Sequence, residues 1–197
     1  YEVPPAFFKI VLGEKLKYSC GYWDNKIKSL NDSETQMLEI SSKRANLSNG
    51  QDILELGCGW GSLTCYMAKK YPDSKVVAVS NSNDQRIFIQ NRCNQENINN
   101  VQVITCDMND FEINQNFDRV VSVEMFEHMR NYKKLIGKIS NFLKDEGKLF
   151  VHIFSNNNIV YPFEDNGPGD WMAREFFSGG LMPSHHLLLN FQDDLKI

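Results

Sequence analysis

The sequence predicts an α/β fold with a doubly wound parallel sheet. Two observations point to this class: short apolar segments of strand length recur along the chain, and segments of helix length with one apolar face separate them. A third is a cluster of glycines directly after the first apolar segment, where a doubly wound sheet binds its ligand. The chain has 197 residues, of which 42% are hydrophobic, and we expect a single domain over residues 1–197.

The predicted strands are rich in Val, Ile and Leu, as strands buried on both faces of a sheet are. They lie at 52–56, 75–80, 101–105, 118–123 and 147–154. Helices are expected between them, at 61–71, 83–96 and 130–144. The first and the last have one apolar face, and the second is preceded by Asn and Ser residues that can cap a helix start. Residues 111–117 have the composition of a loop. This alternation predicts βαβ units joined by right-handed crossovers.

The two ends of the chain differ from the core expected over residues 51–154. Residues 1–50 are expected to form a helical cover, because the segment SETQMLEISSKRANL (33–47) has a helical pattern. Residues 155–197 begin with a stretch rich in Asn, Gly, Pro and acidic residues, which predicts a long loop or lid beside the core.

Charge and composition exclude several classes of partner. The net charge is −4 and the basic residues are scattered, so we expect no nucleic-acid partner. The apolar runs are shorter than a bilayer span and no signal-peptide pattern is present, so no stable membrane insertion is expected. The five cysteines form no C-x-x-C pair, which favours reduced thiols and a cytoplasmic location.

The glycine cluster, GCGWG at 57–61, follows the first predicted strand. Glycines allow a tight turn and let backbone N–H groups approach a ligand at a helix N-terminus. The third glycine comes one residue too early for G-x-G-x-x-G, and the second strand ends in Ser-Asn-Ser rather than an acidic residue. The stretch ELGCG (55–59) instead resembles the D/E-x-G-x-G motif of class I methyltransferases. This resemblance implies a Rossmann-like fold that binds S-adenosylmethionine.

Four motifs in the same order narrow the resemblance, and they cover essentially the whole chain. They are LKYSCGYW (16–23), LELGCGWGSL (54–63), SVEMFEHM (122–129) and DWMAREFFSGGLMPS (170–184). Together they resemble the branch that holds cyclopropane fatty acid synthases, mycolic acid methyltransferases and plant coclaurine-type N-methyltransferases. The tail, LLLNFQDDLKI, is most similar to the coclaurine type. Such enzymes continue well beyond this point, and their sheet has a sixth strand and an antiparallel seventh, so we expect the C-terminal part to be truncated.

The resemblance implies which residues hold the cofactor. Tyr18 and Ser19 would contact its methionine part, and Gly57 and Gly59 would line the turn. The remaining positions are Ser80, Asn81 and Gln85 at the ribose, where Ser80 and Asn81 replace the usual acidic residue, and Asp107 and Met108 at the adenine edge.

Glu124, Glu127 and His128 follow the fourth predicted strand at positions i, i+3 and i+4. In a helical turn they would share one face at the mouth of the site. An amine must lose a proton before it attacks a methyl group, which calls for a base, and paired carboxylates attract a cationic amine while raising one pKa. Alternatively, Glu127 and His128 cap the next helix and pair with Arg130 or Lys133. The resemblance favours catalysis by all three residues: Glu124 and Glu127 would bind and orient the ammonium, and His128 would take its proton. It also favours a small, partly apolar amine as acceptor, because the lipid-modifying relatives look as though they carry Gly at position 124.

A second activity stays open, namely cyclopropane synthesis on unsaturated lipid acyl chains. Its enzymes hold bicarbonate as the base at positions that match Cys20, Glu127 and His152, all present here. Alternatively, Cys20 is a small buried residue and His152 a core histidine. A binding module without catalytic activity is a third possibility.

We expect no metal site, because the histidines lack metal-ligand spacing. The aromatic side chains that follow the core either wall an apolar acceptor pocket or pack in the core; they are Tyr161, Phe163, Trp171, Phe176 and Phe177. Gly179, Gly180 and Pro183 would let this segment bend over the site.

Overall fold

The computed structural model describes residues 3–196, and its centre is a sheet of five parallel strands. The strands are β1 Asp52–Leu56, β2 Lys75–Ser80, β3 Val101–Thr105, β4 Phe117–Val123 and β5 Leu143–His152. Their order in the sheet is β3-β2-β1-β4-β5, so the direction of winding reverses between β1 and β4. The predicted doubly wound α/β fold is therefore confirmed.

Six helices accompany the strands in the described residues. They are α1 Pro5–Val11, α2 Leu30–Arg44, α3 Ser62–Lys70, α4 Asn83–Gln95, α5 Tyr132–Ser140 and α6 Trp171–Glu175. The helices predicted at 61–71 and 83–96 agree with α3 and α4 to within one residue at each end. The start of α4 is fixed because the Ser82 side chain accepts a hydrogen bond from the backbone N–H of Gln85.

The helix predicted over 130–144 ends too late, and the strand predicted from 147 begins too late. In the structure α5 ends at Ser140, and β5 already pairs with β4 at Leu143, opposite Phe117. The pairing then skips residues and resumes at Lys148, opposite Arg119, which makes a bulge in β5. Gly147 is needed there, because a Cβ atom would lie 2.8 Å from the carbonyl oxygen of Phe117. This long-range pairing converts the end of the predicted helix into strand.

The core lies on both faces of the sheet, as the apolar strands predicted. On one face Ile53 packs with side chains of α2, α3 and α4, among them Met67 and Ile89. On the other face Leu54 and Leu56 pack against residues of β4 and α5. Because β1 alternates between two apolar layers, its carboxyl end is held firmly where the glycine turn begins.

The segment after β5 folds back onto the end of β4. It contains a short antiparallel pair, β6 Tyr161–Pro162 and β7 Leu181–Met182, and has little other regular structure apart from α6 and a 3₁₀ turn at Leu187–Asn190. The Arg130 guanidinium fastens this segment, because its Nε donates to the carbonyl oxygen of Gly180 at 3.2 Å and its Nη2 to that of Phe163 at 3.0 Å. Within residues 3–196, no helix combines the length and the apolar character needed to cross a membrane.

Candidate active site

A cavity of about 1300 Å³ lies at the carboxyl ends of the strands, where the winding reverses. Residues from the N-terminal segment, the strand ends and the C-terminal segment line it together. All the predicted cofactor residues are among them, as are two of the three predicted catalytic residues: Tyr18, Ser19, Gly57, Gly59, Ser80, Asn81, Gln85, Asp107, Met108, Glu124 and His128. The fold thus brings together side chains that are far apart in sequence.

The glycine turn has a left-handed backbone, with φ of +84° at Gly57 and +51° at Gly59. The two glycines meet different requirements. A Cβ atom on Gly57 would lie 2.7 Å from the Met125 side chain, so this glycine permits close packing. A Cβ atom on Gly59 would have no protein atom within 4 Å, and Gly59 lines the cavity. The turn therefore leaves open space beside its backbone, as a bound nucleoside cofactor requires.

A hydrogen-bond network orders the polar edge of the cavity after β2. The Ser80 hydroxyl donates to Oε1 of Gln85 at 2.5 Å and accepts from the backbone N–H of Ser82 at 3.0 Å. After β3, the Asp107 carboxylate accepts hydrogen bonds from the backbone N–H and the side-chain amide of Asn109, both at 2.8 Å. These short polar side chains are held in fixed positions around the part of the cavity expected to take the ribose and adenine.

Sequence reasoning did not assign a site role to two buried charged residues that line the cavity, Glu55 and Lys17. Burial raises the pKa of Glu55 to about 8, although the Thr64 hydroxyl donates to Oε2 at 2.5 Å and Lys17 also favours the charged form. Burial lowers the pKa of Lys17, and its amino group donates to the Ser19 hydroxyl. The acidic residue of the D/E-x-G-x-G motif is thus largely uncharged at neutral pH.

The predicted arrangement of Glu124, Glu127 and His128 on one helical face is wrong. Glu124 directly follows β4 and has φ of +52°, a left-handed conformation that is rare for a residue with a side chain. A 3₁₀ turn over Phe126–His128 begins only after it. Because of this break, Glu124 and His128 line the cavity, whereas Glu127 points into the protein and is fully buried.

Glu127 is a buried carboxyl with incomplete hydrogen bonding. Its Oε1 accepts a hydrogen bond from the backbone N–H of Phe154 at 2.9 Å, and its Oε2 has no hydrogen-bond partner among the described residues. Burial raises the pKa of Glu127 to about 7, and the nearby charge of Glu124 adds a smaller increase. A raised carboxyl pKa was expected from crowding of charges, but burial is its main cause.

His128 is held between the cavity and an aromatic stack. Its ring lies over that of Phe177, with centroids 4.9 Å apart, and Phe177 in turn stacks on Phe163 at the same separation. Burial lowers the pKa of His128, so the imidazole is neutral at neutral pH and able to accept a proton. Lys133, which the sequence suggested as a possible partner of Glu127 or His128, instead forms an exposed ion pair with Asp193 at 3.3 Å.

Cys20, Glu124 and His152 form a cluster beside the cavity, in which Glu124 lines the cavity itself and His152 lines a smaller one of about 270 Å³. Sγ of Cys20 lies 3.6 Å from Nε2 of His152, and the backbone N–H of Cys20 donates to Oε1 of Glu124 at 3.2 Å. The sequence predicted Cys20, Glu127 and His152 as a bicarbonate site, but the carboxylate beside the thiol and imidazole belongs to Glu124. Cys20 is exposed and His152 half-buried, so neither is a core residue.

The predicted aromatic wall is divided between two layers. Trp171, Phe176 and Phe177 line the cavity, whereas Phe163 stacks behind Phe177 and Tyr161 packs edge-on against Phe163. A further lining residue, Phe154, was missed. Its position two residues after the carboxyl end of β5, where this fold builds its site, is the sequence signal that could have identified it.

Comparison with known proteins fixes the family. The family model described as mycolic acid cyclopropane synthetase matches residues 1–195. The chain belongs to this family. Its resemblance to the branch of cyclopropane synthases and coclaurine-type N-methyltransferases, read from four motifs, is thereby confirmed.

Within the mycolic acid cyclopropane synthetase family, plant enzymes are among the most similar. An (S)-coclaurine N-methyltransferase of Thalictrum flavum subsp. glaucum is 40% identical over 199 residues, which cover all of this chain and 55% of that enzyme. The crystal structure of a coclaurine N-methyltransferase bound to N-methylheliamine and SAH superposes with a TM-score of 0.91 at 36% identity, over 98% of this chain and 57% of that one. The cyclopropane-fatty-acyl-phospholipid synthase of Escherichia coli K12 is 32% identical, over 93% of this chain and 46% of its own length. The chain thus spans about half the length of these relatives.

Proposed function

We propose that the protein to which this chain belongs is an S-adenosylmethionine-dependent methyltransferase (EC 2.1.1) that methylates the nitrogen of a small, partly apolar amine. Two similarities support the reaction class: 40% identity to a coclaurine N-methyltransferase, and a TM-score of 0.91 to a structure of such an enzyme with SAH. The contacts within the cavity support the two finer parts of the proposal, the cofactor site and the amine acceptor.

The residues around the glycine turn fit the cofactor. Gly59 has open space beside its backbone, and polar side chains ordered by hydrogen bonds surround that space. When bound there, S-adenosylmethionine supplies an electrophilic methyl group on a sulfonium centre. We assign to it the residues expected from the sequence, all of which line the cavity: Tyr18, Ser19, Gly57, Gly59, Ser80, Asn81, Gln85, Asp107 and Met108.

The position of the Glu124 carboxylate is the observation that most supports an amine as the methyl acceptor. This carboxylate faces the cavity, and its oxygen lies within 4.8 Å of the Cys20 sulfur and a His152 ring nitrogen. A negative charge there attracts a protonated amine and repels an anion such as bicarbonate. The same position therefore favours N-methylation over a reaction whose base is a bound bicarbonate.

His128 and Glu127 have different roles in the proposed reaction. His128 is neutral, lines the cavity and accepts the proton that the ammonium must lose before its nitrogen can attack. Glu127 is fully buried, so we assign it a positioning role in place of direct contact with the ammonium. Its hydrogen bond to the Phe154 backbone ties the turn that bears His128 to the segment that bears the aromatic wall. Alignment by such fixed groups is the main means by which a protein accelerates a displacement.

The three parts of the chain take separate roles in this proposal. Residues 1–50 form the N-terminal cover, 51–154 the cofactor-binding core and 155–197 the acceptor-side segment, since all three regions contribute lining residues. Trp171, Phe176 and Phe177 give the acceptor an apolar surface. The free cysteines fit a reducing compartment, which we propose to be the cytoplasm.

Cyclopropane synthesis on unsaturated lipid acyl chains is the alternative. It is supported by 32% identity to the Escherichia coli synthase and by the contact between Cys20 and His152. The Glu124 carboxylate opposes it, for the electrostatic reason given above.

Glu124→Gln distinguishes the two activities, with Glu146→Gln, an exposed carboxylate in the β5 bulge, as its matched control. Methyl transfer is measured with a panel of small aromatic amines, and separately with vesicles of unsaturated phospholipid with and without bicarbonate. We expect the parent chain to methylate amines. Glu124→Gln should raise the KM for the amine about tenfold, which corresponds to the loss of about 1.4 kcal/mol of attraction. Glu146→Gln should leave it unchanged. Bicarbonate-dependent lipid modification without amine methylation would refute the proposal, as would equal kinetics in the two variants.

A further inference from the structure

The cluster of Cys20, Glu124 and His152 offers three different metal-ligand atoms in one place: a thiol sulfur, a carboxylate oxygen and an imidazole nitrogen. All three lie within 4.8 Å of one another. Sequence spacing does not predict this cluster, because Cys20 is 104 residues from Glu124 and 132 from His152. The two side chains that meet Cys20 come from the ends of the neighbouring strands β4 and β5, which pair up to His152.

The separation of sulfur and nitrogen suits zinc. With Zn–S near 2.3 Å and Zn–N near 2.0 Å, tetrahedral coordination places the two donor atoms about 3.5 Å apart. The Cys20 and His152 donor atoms are 3.6 Å apart in the structure. A Glu124 carboxylate oxygen lies within 4.8 Å of both of these donor atoms, and a set of three protein ligands leaves a fourth position for water or substrate.

The composition of the cluster selects the metal. A thiolate disfavours hard cations such as Mg²⁺ and Ca²⁺, whereas a thiolate, an imidazole and a carboxylate together suit Zn²⁺. Two cationic side chains face the cluster: Lys17, which interacts with Cys20 and Glu124, and Arg44, which interacts with His152. Both oppose a further cation. Zn²⁺ binds the thiolate form of cysteine, so the Cys20 thiol releases its proton to solvent when the metal binds. The negative charges of the Cys20 thiolate and the Glu124 carboxylate then balance the charge of Zn²⁺.

We propose that Cys20, Glu124 and His152 form a Zn²⁺ site beside the acceptor cavity. Its location gives it an inhibitory effect, because a metal on Glu124 removes the negative charge available to a protonated amine. The metal site rests on the donor geometry alone. Only the inhibition rests on the proposed function, so the two can be tested separately.

Metal binding to the 197-residue chain is measured directly, without cofactor or acceptor. The chain is freed of metal with a chelator, titrated with Zn²⁺ against a chromophoric chelator, and titrated with Co²⁺ to record thiolate-to-cobalt charge-transfer absorption. We expect one tight site with that absorption. Cys20→Ser should abolish the absorption, and His152→Gln should weaken binding by roughly tenfold or more. The control is Cys106→Ser, because Cys106 is the other cysteine that is not buried and it lies outside the cluster.

The outcomes separate the alternatives. Loss of the charge-transfer band in Cys20→Ser with its retention in Cys106→Ser supports the site, provided that thermal melts show both variants folded. If Cys20→Ser does not fold, His152→Gln decides the question through Zn²⁺ affinity. Absence of the band in the parent chain, its survival in Cys20→Ser or its loss in Cys106→Ser overturns the proposal. None of these results depends on methyl transfer.

Discussion

Replacing Glu127 by Gln is expected to stabilise the fold at mildly alkaline pH. The Glu127 side chain is fully buried, and burial raises its pKa from 4.5 to about 7. Between those values the unfolded chain binds fewer protons than the folded chain, so this carboxyl makes stability fall as pH rises. At about 1.4 kcal/mol per pKa unit, ionised Glu127 costs the folded state about 3 kcal/mol once the pH exceeds the folded-state pKa. Gln carries no charge and keeps an oxygen for the Phe154 N–H.

Urea unfolding of the parent and of Glu127→Gln, at about pH 5 and about pH 8, measures this difference. We expect Glu127→Gln to be more stable by about 3 kcal/mol at the higher pH and by about 1 kcal/mol at the lower. Glu55, whose pKa burial raises to about 8, titrates in both proteins and cancels from the comparison. Glu146→Gln, at an exposed position, should leave the pH dependence unchanged. If the stability of Glu127→Gln and that of the parent depend on pH in the same way, burial does not raise the pKa of the Glu127 carboxyl.

Two further changes test how the site is supported. Ser82→Ala removes the side-chain cap of α4 and should lower the free energy of unfolding by about 1 kcal/mol in urea; no loss would mean that the cap contributes nothing. Arg130→Met removes the hydrogen bonds to the carbonyl oxygens of Gly180 and Phe163, and should speed amide hydrogen exchange over 161–182 without affecting β1. Unchanged exchange there would show that Arg130 does not fasten the segment.

The parallel sheet and the glycine turn could be predicted because their signals are local. Apolar runs such as 52–56 are buried on both faces, and glycine readily adopts the left-handed backbone of the turn that follows them. The cap at Ser82 is likewise visible in a few consecutive residues. The bulge in β5 was missed because it depends on pairing with Phe117, which is distant in sequence.

The candidate site was only partly predictable for a similar reason. A helical spacing placed Glu124, Glu127 and His128 on one face, but the left-handed backbone at Glu124 separates them. No local pattern reveals that conformation in a residue with a side chain. Nor could spacing show that Glu124 meets Cys20, since that contact depends on how the N-terminal segment folds over the strand ends. The residue types were predicted, whereas their orientations follow from tertiary packing.

The central claim is that the space beside Gly59 holds a nucleoside sulfonium cofactor, and calorimetric titration of the chain with S-adenosylmethionine and with S-adenosylhomocysteine tests it most directly. Gly59→Ala and Gly50→Ala form a matched pair, since both glycines have positive φ and no protein atom within 4 Å of an added Cβ, but only Gly59 lines the cavity. We expect saturable binding to the parent and to Gly50→Ala, and affinity weakened about tenfold or more in Gly59→Ala, the equivalent of about 1.4 kcal/mol. No heat of binding in the parent, or equal affinity in the two variants, would contradict the account.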